Sequence, residues 1–437
     1  MPGDARSDAP KDAGTAAGVS RGPGRHREFP CYDGLRAIAA LSVLLVHTSF
    51  PSGFTARSHF WGPYTARLEI GVSVFFLISG FLLYRPFVAA HLGERPGPAV
   101  RPYLKRRFLR IVSAYWVAMF FAAFVLHTVD RPVHGWGIPI YFGFLQIYFR
   151  NYALHGISAA WTLCVEMSFY LFLPLYAGGV AWWAGRRPVQ TRLRCEVLAL
   201  IGLVVVSIVW KAIVFAHPSG QQTGAATWLP AQLDQFAVGM ALAVASVWWS
   251  EHRREPAVLT RRWIPVVSWL LALCAFWAVS TQAGLPLLPI WTASFRQILV
   301  RQWLYVAFAL FLLIPAVFGP QDRSPVRRVL RSRPVVGIGL VSYGIYLWHE
   351  TFITEVLGWT HRPLFTTSFL TLTLAAGGLA LVTAVASYLV IEQPFQRLGR
   401  RRSVPAPARA SHDFRPSLPL TGGNSNGGPV PAALPPE

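Results

Sequence analysis

The chain holds 437 residues, 53% of them hydrophobic and only 14% charged, against roughly 25% charged in soluble domains. With 17 Trp and 29 Phe, this composition excludes an ordinary soluble domain and reads as a membrane protein. The net charge of +21 raises nucleic acid as a partner, but the basic residues fall between apolar segments rather than on one patch, so no nucleic-acid partner is expected. Cys31, Cys164, Cys195 and Cys274 are scattered without a CxxC pair, so neither a disulfide framework nor a metal site is expected.

Residues 1–30 contain no apolar run, so no secretory signal is visible there, and their Gly, Ala, Pro and Arg content predicts a disordered cytoplasmic tail. Residues 401–437, rich in Pro and Gly, read the same way. Between them, residues 31–400 form one transmembrane domain, with no appended soluble domain expected. Ten apolar segments approach the roughly 20 residues of a membrane span: 33–52, 70–89, 109–127, 161–183, 197–216, 231–249, 263–280, 298–318, 335–355 and 367–391. Ile138–Phe149 is also apolar, but short and aromatic, and reads as re-entrant or interfacial.

Lys and Arg decide the orientation. With the N-terminus inside, only Arg57, Arg67, Arg131, Arg150, Arg296, Arg301 and Arg362 fall outside; Lys211 lies within a span, and the other 32 of the 40 lie inside. That bias places both termini in the cytoplasm. The expected fold class is all-α: a polytopic membrane protein of about ten transmembrane helices, multi-pass in the plasma membrane.

The first span carries Arg36 and His47, eleven residues apart in one apolar stretch. Eleven helical residues turn through about 1100°, close to three full turns, and rise roughly 16 Å. Both side chains therefore leave the same side of the helix. Ionisable groups in a span are costly and usually face a cavity with a function. A fixed cation at one depth and a titratable base at another suggest anion binding and proton transfer. The plainer alternatives are a snorkelling arginine and a hydrogen-bonded core histidine. Later in the chain, Ser79-Gly80 suits close helix packing, Glu166 and Asp234 open their spans at the outer level, and Tyr343, Tyr346 and His349 share one helical stripe. For these the alternatives are a structural ion pair, a helix-start residue and an aromatic packing face. Glu392 and Pro394 are expected to end the last helix.

Seven segments then fall in order: Tyr32-Asp-Gly-Leu-Arg36 with His47; Gly71-Val-Ser-Val-Phe75-Phe-Leu-Ile-Ser79-Gly80; Arg106-Arg107-Phe-Leu-Arg110; Trp161-Thr-Leu-Cys-Val-Glu166; Leu233-Asp234-Gln-Phe236-Ala-Val-Gly239; Ser342-Tyr343-Gly-Ile-Tyr346-Leu-Trp348-His349; and Ile391-Glu392-Gln-Pro394-Phe395. Together they resemble the acyltransferase 3 family of integral-membrane acyltransferases, over nearly the whole of residues 31–400. Ala37, Met167 and Gln393 depart from residues frequent in that family, which leaves the surroundings of Glu166 open.

The resemblance implies transfer of an acyl group, an acetyl for preference, from cytoplasmic acyl-CoA to a hydroxyl. The acceptor would be a glycan, a glycolipid or a glycosylated small molecule. On that reading His47 is the general base, with Arg36, Glu166 and His349 completing the catalytic set by polarising the thioester and orienting base and acceptor. Arg36, Arg107 and Arg110 hold acyl-CoA, and the seven basic residues from Arg85 to Arg110 suit its anionic nucleotide. Tyr346, Asp234 and Ser79 contact substrate, although no base adjoins Ser79 in its motif to make it a nucleophile. No permanently bound cofactor and no metal is expected; acyl-CoA is the donor. The competing reading is a transporter or flippase of a glycolipid or lipid-linked sugar, since intramembrane His, Glu and Arg also suit transport. No inverted repeat supports it.

Overall fold

The computed structural model describes residues 29–93, 95–129, 133–216, 222–287, 294–321 and 324–401. Among the described residues every regular element is helical. Ten long helices carry the fold: α1 Tyr32–Ser49, α2 Gly71–Leu92, α3 Val100–Phe120, α4 Trp161–Ala184, α5 Val189–Ala216, α6 Leu229–Glu251, α7 Ile264–Trp277, α8 Phe295–Val317, α9 Ser342–Thr360 and α10 Phe369–Ser387. Each overlaps one predicted span. Seven helical stretches, those containing α2, α3, α4, α5, α7, α8 and α10, are long and apolar enough to cross a membrane. The chain is an all-α polytopic membrane protein.

The three helices outside that group, α1, α6 and α9, carry Arg36 and His47, Asp234, and His349 with Glu350. α6 buries 15 of its 23 residues, whereas the apolar α5 buries seven of its 28. Two glycines allow α6 to lie directly on α2: a Cβ on Gly80 would collide with the carbonyl of Phe236, and one on Gly239 with that of Leu77. Phe236 also stacks on Phe169 at a centroid distance of 4.0 Å, which ties α4 to the same centre. α1 packs against α2, α9, α10 and the short helix Arg333–Leu340.

Several boundaries differ from the sequence expectation. α3 begins at Val100 rather than 109, because Lys and Arg are good helix formers whose stems lie along apolar surface while their charges reach polar surroundings. Segment 335–355 is two helices, Arg333–Leu340 and α9. Just before the break, Gly339 comes so close to Asp33 that a Cβ there would collide with its carbonyl. Ile138–Phe149 forms only the six-residue helix Gly137–Phe142 and a 3-10 turn. Glu392 and Pro394 do not end the last helix, contrary to expectation. The chain passes through a π turn, Tyr388–Glu392, and continues as Gln393–Arg401. Pro394 then falls in the first turn of the restarted helix, where a missing N–H is tolerated. The two predicted tails, 1–30 and 401–437, and Arg131 lie outside the described residues, apart from 29–30 and 401. Phe29 packs edge-on against Phe81 of α2 at 4.9 Å.

Candidate active site

α1 and α9 bring two histidines together, His47 from the last turn of α1. His47 Nδ1 lies 2.6 Å from His349 Nε2, and the rings are nearly parallel, 4.9 Å apart. His349 is wholly buried, and its Nδ1 is 2.7 Å from the carbonyl of Tyr346. A carbonyl only accepts, so His349 Nδ1 carries a proton and donates it there. In the neutral ring Nε2 is then a lone pair, which must accept from His47 Nδ1–H. The remaining nitrogen of His47, Nε2, is left as the basic atom of a ring whose side chain is 37% exposed. One backbone carbonyl thus sets two tautomers in series.

A carboxylate completes the arrangement. Glu350 Oε1 lies 3.7 Å from His47 Nδ1, placed to stabilise an imidazolium once His47 takes a proton. Glu350 is itself held, accepting from Ser158 Oγ at 2.6 Å and from the Ala159 N–H at 2.9 Å. Donor atoms of His47, His349 and Glu350 all lie within 4.8 Å of one another, which invites comparison with a metal site. Two nitrogens bound to one tetrahedral zinc at about 2.0–2.1 Å would sit roughly 3.3 Å apart. The 2.6 Å separation is that of a shared proton.

Two cavities lie along α1 and α9. The wider one, about 490 Å³, is lined by His47 and Glu350 together with Arg67, Glu69 and Arg301 and by apolar residues such as Phe50 and Leu285; its size falls in the usual ligand-pocket range of about 300–1,000 Å³. The narrower one is only about 90 Å³. Its walls include Arg36, Arg107, Arg110, Glu166, Ser79 and Tyr346. There Ser79 Oγ donates to Glu166 Oε1 at 2.6 Å, and Arg36 Nη1 reaches Asp33 Oδ1 at 3.2 Å. Between the cavities sits a small apolar cluster of Val43, Ala159 and Tyr346, with Val72 and Phe75 packed against it. The Tyr346 hydroxyl braces it, donating to the Ala159 carbonyl at 3.0 Å and lying 2.8 Å from Thr162 Oγ1.

The structure therefore sorts the residues singled out from sequence into groups. Arg36, Arg107, Arg110, Glu166, Ser79 and Tyr346 share the narrow cavity; His47 faces the wide one with His349 behind it. Two expectations need correction. Asp234, expected at the acceptor, lines neither cavity. It is fully buried and holds Lys211 Nζ at 2.5 Å while accepting from Gln302 Nε2 at 3.0 Å. α6 lies too deep for a charge to escape to water, and α5 supplies the counter-charge. Glu166, expected to orient a histidine, sits instead among the guanidiniums; the carboxylate beside the histidines is Glu350. Sequence reasoning missed Glu350 although it directly follows His349. It also treated Glu69 as an unremarked loop residue and Arg67 and Arg301 as topology signals only.

The acyltransferase 3 family model, described as "Acyltransferase domain", matches residues 29–391. The peptidoglycan O-acetyltransferase OatA of Listeria monocytogenes is 24% identical over 386 residues, covering 84% of this chain and 54% of that protein. The putative peptidoglycan O-acetyltransferase YrhL of Bacillus subtilis is 26% identical, over 75% of this chain and 49% of its own. The chain thus spans about half the length of these two relatives. The acyltransferase MdmB of Streptomyces mycarofaciens is 27% identical over 429 residues, covering 91% of this chain and 99% of that protein. No solved structure matches. With a family match across residues 29–391, most of its length, the chain belongs to the acyltransferase 3 family.

Proposed function

We propose that the chain is a plasma-membrane O-acyltransferase that moves an acyl group, an acetyl for preference, from cytoplasmic acyl-CoA to a hydroxyl of a carbohydrate-containing acceptor in the wide cavity. The observation that carries this reading is the His47–His349 pair, which leaves His47 Nε2 basic on the wall of the wide cavity while Arg36, three turns away on α1, lines the narrow one. The named acetyltransferase relatives favour acetyl as the group and a glycan as the acceptor. The basic bias of the Arg36 side favours a cytoplasmic donor.

In the proposed reaction the acceptor hydroxyl gives its proton to His47 Nε2 as its oxygen attacks the thioester carbonyl carbon. Glu350, 3.7 Å from Nδ1, offsets the charge that appears on the ring. The tetrahedral intermediate collapses with loss of the CoA thiolate, which takes the proton from the imidazolium. Ester and free CoA leave, and the base is restored. Arg36, Arg107 and Arg110 supply fixed positive charge for phosphate or the pantetheine amides, since a guanidinium donates parallel hydrogen bonds to anionic oxygens.

Two cavities separated by an apolar barrier also suit a transporter, so the deciding experiment follows the acyl group itself. Purified protein in nanodiscs is given acetyl-CoA labelled in the acetyl group, and label is sought on a glycan acceptor with release of free CoA. Transfer that disappears in His47→Ala supports the proposal; acceptor movement across proteoliposomes without CoA release would falsify it. Donor binding can be read separately from thermal unfolding. Acyl-CoA at about 100 times its dissociation constant should add roughly 2.7 kcal/mol to stability.

A further inference from the structure

The wide cavity has a second polar wall, made of residues outside the seven motifs. Glu69 precedes α2, and its Oε1 accepts from the Tyr305 hydroxyl at 3.1 Å and lies 3.5 Å from Arg301 Nη1. Both protein contacts fall on Oε1, and the Glu69 side chain is 44% exposed. Beside it, Arg67 is buried in the cavity wall. Its Nη2 donates to the carbonyl of Pro286 and its Nη1 to that of Ala66, while Nε finds no partner among the described residues. All three side chains, Arg67, Glu69 and Arg301, face the space that His47 faces.

We infer that Glu69 and Arg301, with Arg67 behind them, form the polyol-recognition end of the acceptor site and select a sugar ring through two neighbouring hydroxyls. A hydroxyl both donates and accepts. A carboxylate beside a guanidinium offers an acceptor and donors at adjacent points, which matches a vicinal diol and does not match a lone alcohol. Tyr305 and Arg301 fix the carboxylate through one oxygen, and the other accepts from substrate. The apolar residues of the cavity, Phe50, Leu154, Leu285 and Ile353 among them, pack against the body of the acceptor. Its reacting hydroxyl is thereby presented to His47. A site that hydrogen-bonds a substrate hydroxyl disfavours analogues lacking it, because polar groups that the bound body of the acceptor covers are then left unpaired. This inference rests on the acyltransferase reading and names the acceptor contacts within it.

The test uses the full chain in nanodiscs with labelled acetyl-CoA and two acceptors that share one apolar body. These are 4-nitrophenyl β-glucopyranoside, which carries a vicinal diol, and 2-(4-nitrophenyl)ethanol, which carries one hydroxyl. The wild type should prefer the glycoside, and Glu69→Gln and Arg301→Gln should each collapse the ratio of the two kcat/KM values tenfold or more. Glu69→Asp, which keeps the carboxylate, should recover part of that ratio. An unchanged ratio in both variants would overturn the inference, and so would a wild type that does not prefer the diol or that labels neither acceptor while binding acetyl-CoA. Because two variants are read, misfolding of one, seen as lost stabilisation by acetyl-CoA, leaves the other to decide. Failure of the wild type to bind acetyl-CoA at all would instead remove the acyltransferase reading beneath it.

Discussion

α1 and α9 contribute to the walls of both cavities, yet one encloses about 490 Å³ and the other about 90 Å³. The wide cavity has its charges spread around an apolar space: His47 and Glu350 on one wall, Arg67, Glu69 and Arg301 on another. The narrow cavity gathers the guanidiniums of Arg36, Arg107 and Arg110, with Asp33, Glu166 and Glu392 as the acids near them. Three guanidiniums close together in a medium of low dielectric constant favour the entry of an anion. The difference teaches that the two ends are prepared in different ways. The wide end is roomy with its charges apart, and the narrow end is tight with its guanidiniums together, which on the proposed reading suits a bulky acceptor at one and an anionic donor at the other.

The largest effect should come from the base on the wide side. His47→Ala should lower the transfer rate by about 10²–10⁴-fold, the usual contribution of a general base, while stabilisation by acetyl-CoA persists. Glu350→Gln should give a smaller loss, since it removes the charge facing the imidazolium and leaves the His47–His349 hydrogen bond in place. Single-turnover transfer measured for both variants checks the order. A loss in Glu350→Gln that exceeds the loss in His47→Ala would move the base to Glu350.

A second prediction concerns charge that belongs to neither cavity. Lys211→Met leaves Asp234 without its counter-ion in a fully buried position, and removing one partner of such a pair typically costs about 3–5 kcal/mol. Adding Asp234→Asn should restore most of that stability, because the amide oxygen can still accept from Gln302 and the Gln235 N–H. Unfolding of the single and double variants in detergent separates a structural pair from a substrate site. A KM effect on acceptor without a stability effect would return Asp234 to the acceptor.

On the narrow side, Arg36→Ala should remove roughly 1.5–3 kcal/mol of donor affinity, the range for hydrogen bonds to charged groups. The measurement is the acetyl-CoA dissociation constant beside that of the acceptor. Equal weakening of both would break the division of labour between the cavities.

How much of this was open to reading in the sequence depended on whether a residue's partner is local. The spans were legible because apolar length is a property of consecutive residues, and the alignment of Arg36 with His47 was legible because helical periodicity fixes it. The pairing of His47 with His349, 302 positions apart, was not, since it depends on how α9 lies against α1. Glu166 and Glu350 show the same limit from the other side. Both are acids within helices of this bundle, and only tertiary placement reveals that Glu166 serves the arginines and Glu350 the histidines. Asp234 read as an acceptor contact or a helix-start acid, and only the structure sets Lys211 of α5 against it. The close approach of Gly339 to Asp33, just before the break at Val341, escaped because it joins two segments far apart in the chain.

The smallest expected effect lies between the cavities and decides whether the barrier there is a gate. On the proposed reading an acyl thioester would have to pass Val43, Ala159 and Tyr346 to reach His47, and the Tyr346 hydroxyl ties α9 to Ala159 and Thr162. Tyr346→Phe keeps the ring and removes that tie, at a cost of about 0.5–1.5 kcal/mol. If opening the barrier limits entry of the donor arm, about 1 kcal/mol taken from the closed form should speed opening by about fivefold. It should appear as faster acetyl-CoA hydrolysis when no acceptor is present, because water then reaches the thioester beside His47. Stopped-flow release of free CoA, compared with the unfolding midpoint of the same variant, gives both quantities. A lowered midpoint with unchanged hydrolysis would make the hydroxyl a brace alone. The apolar cluster would then be a fixed wall, and the acyl group would have to meet the acceptor by another route around α1.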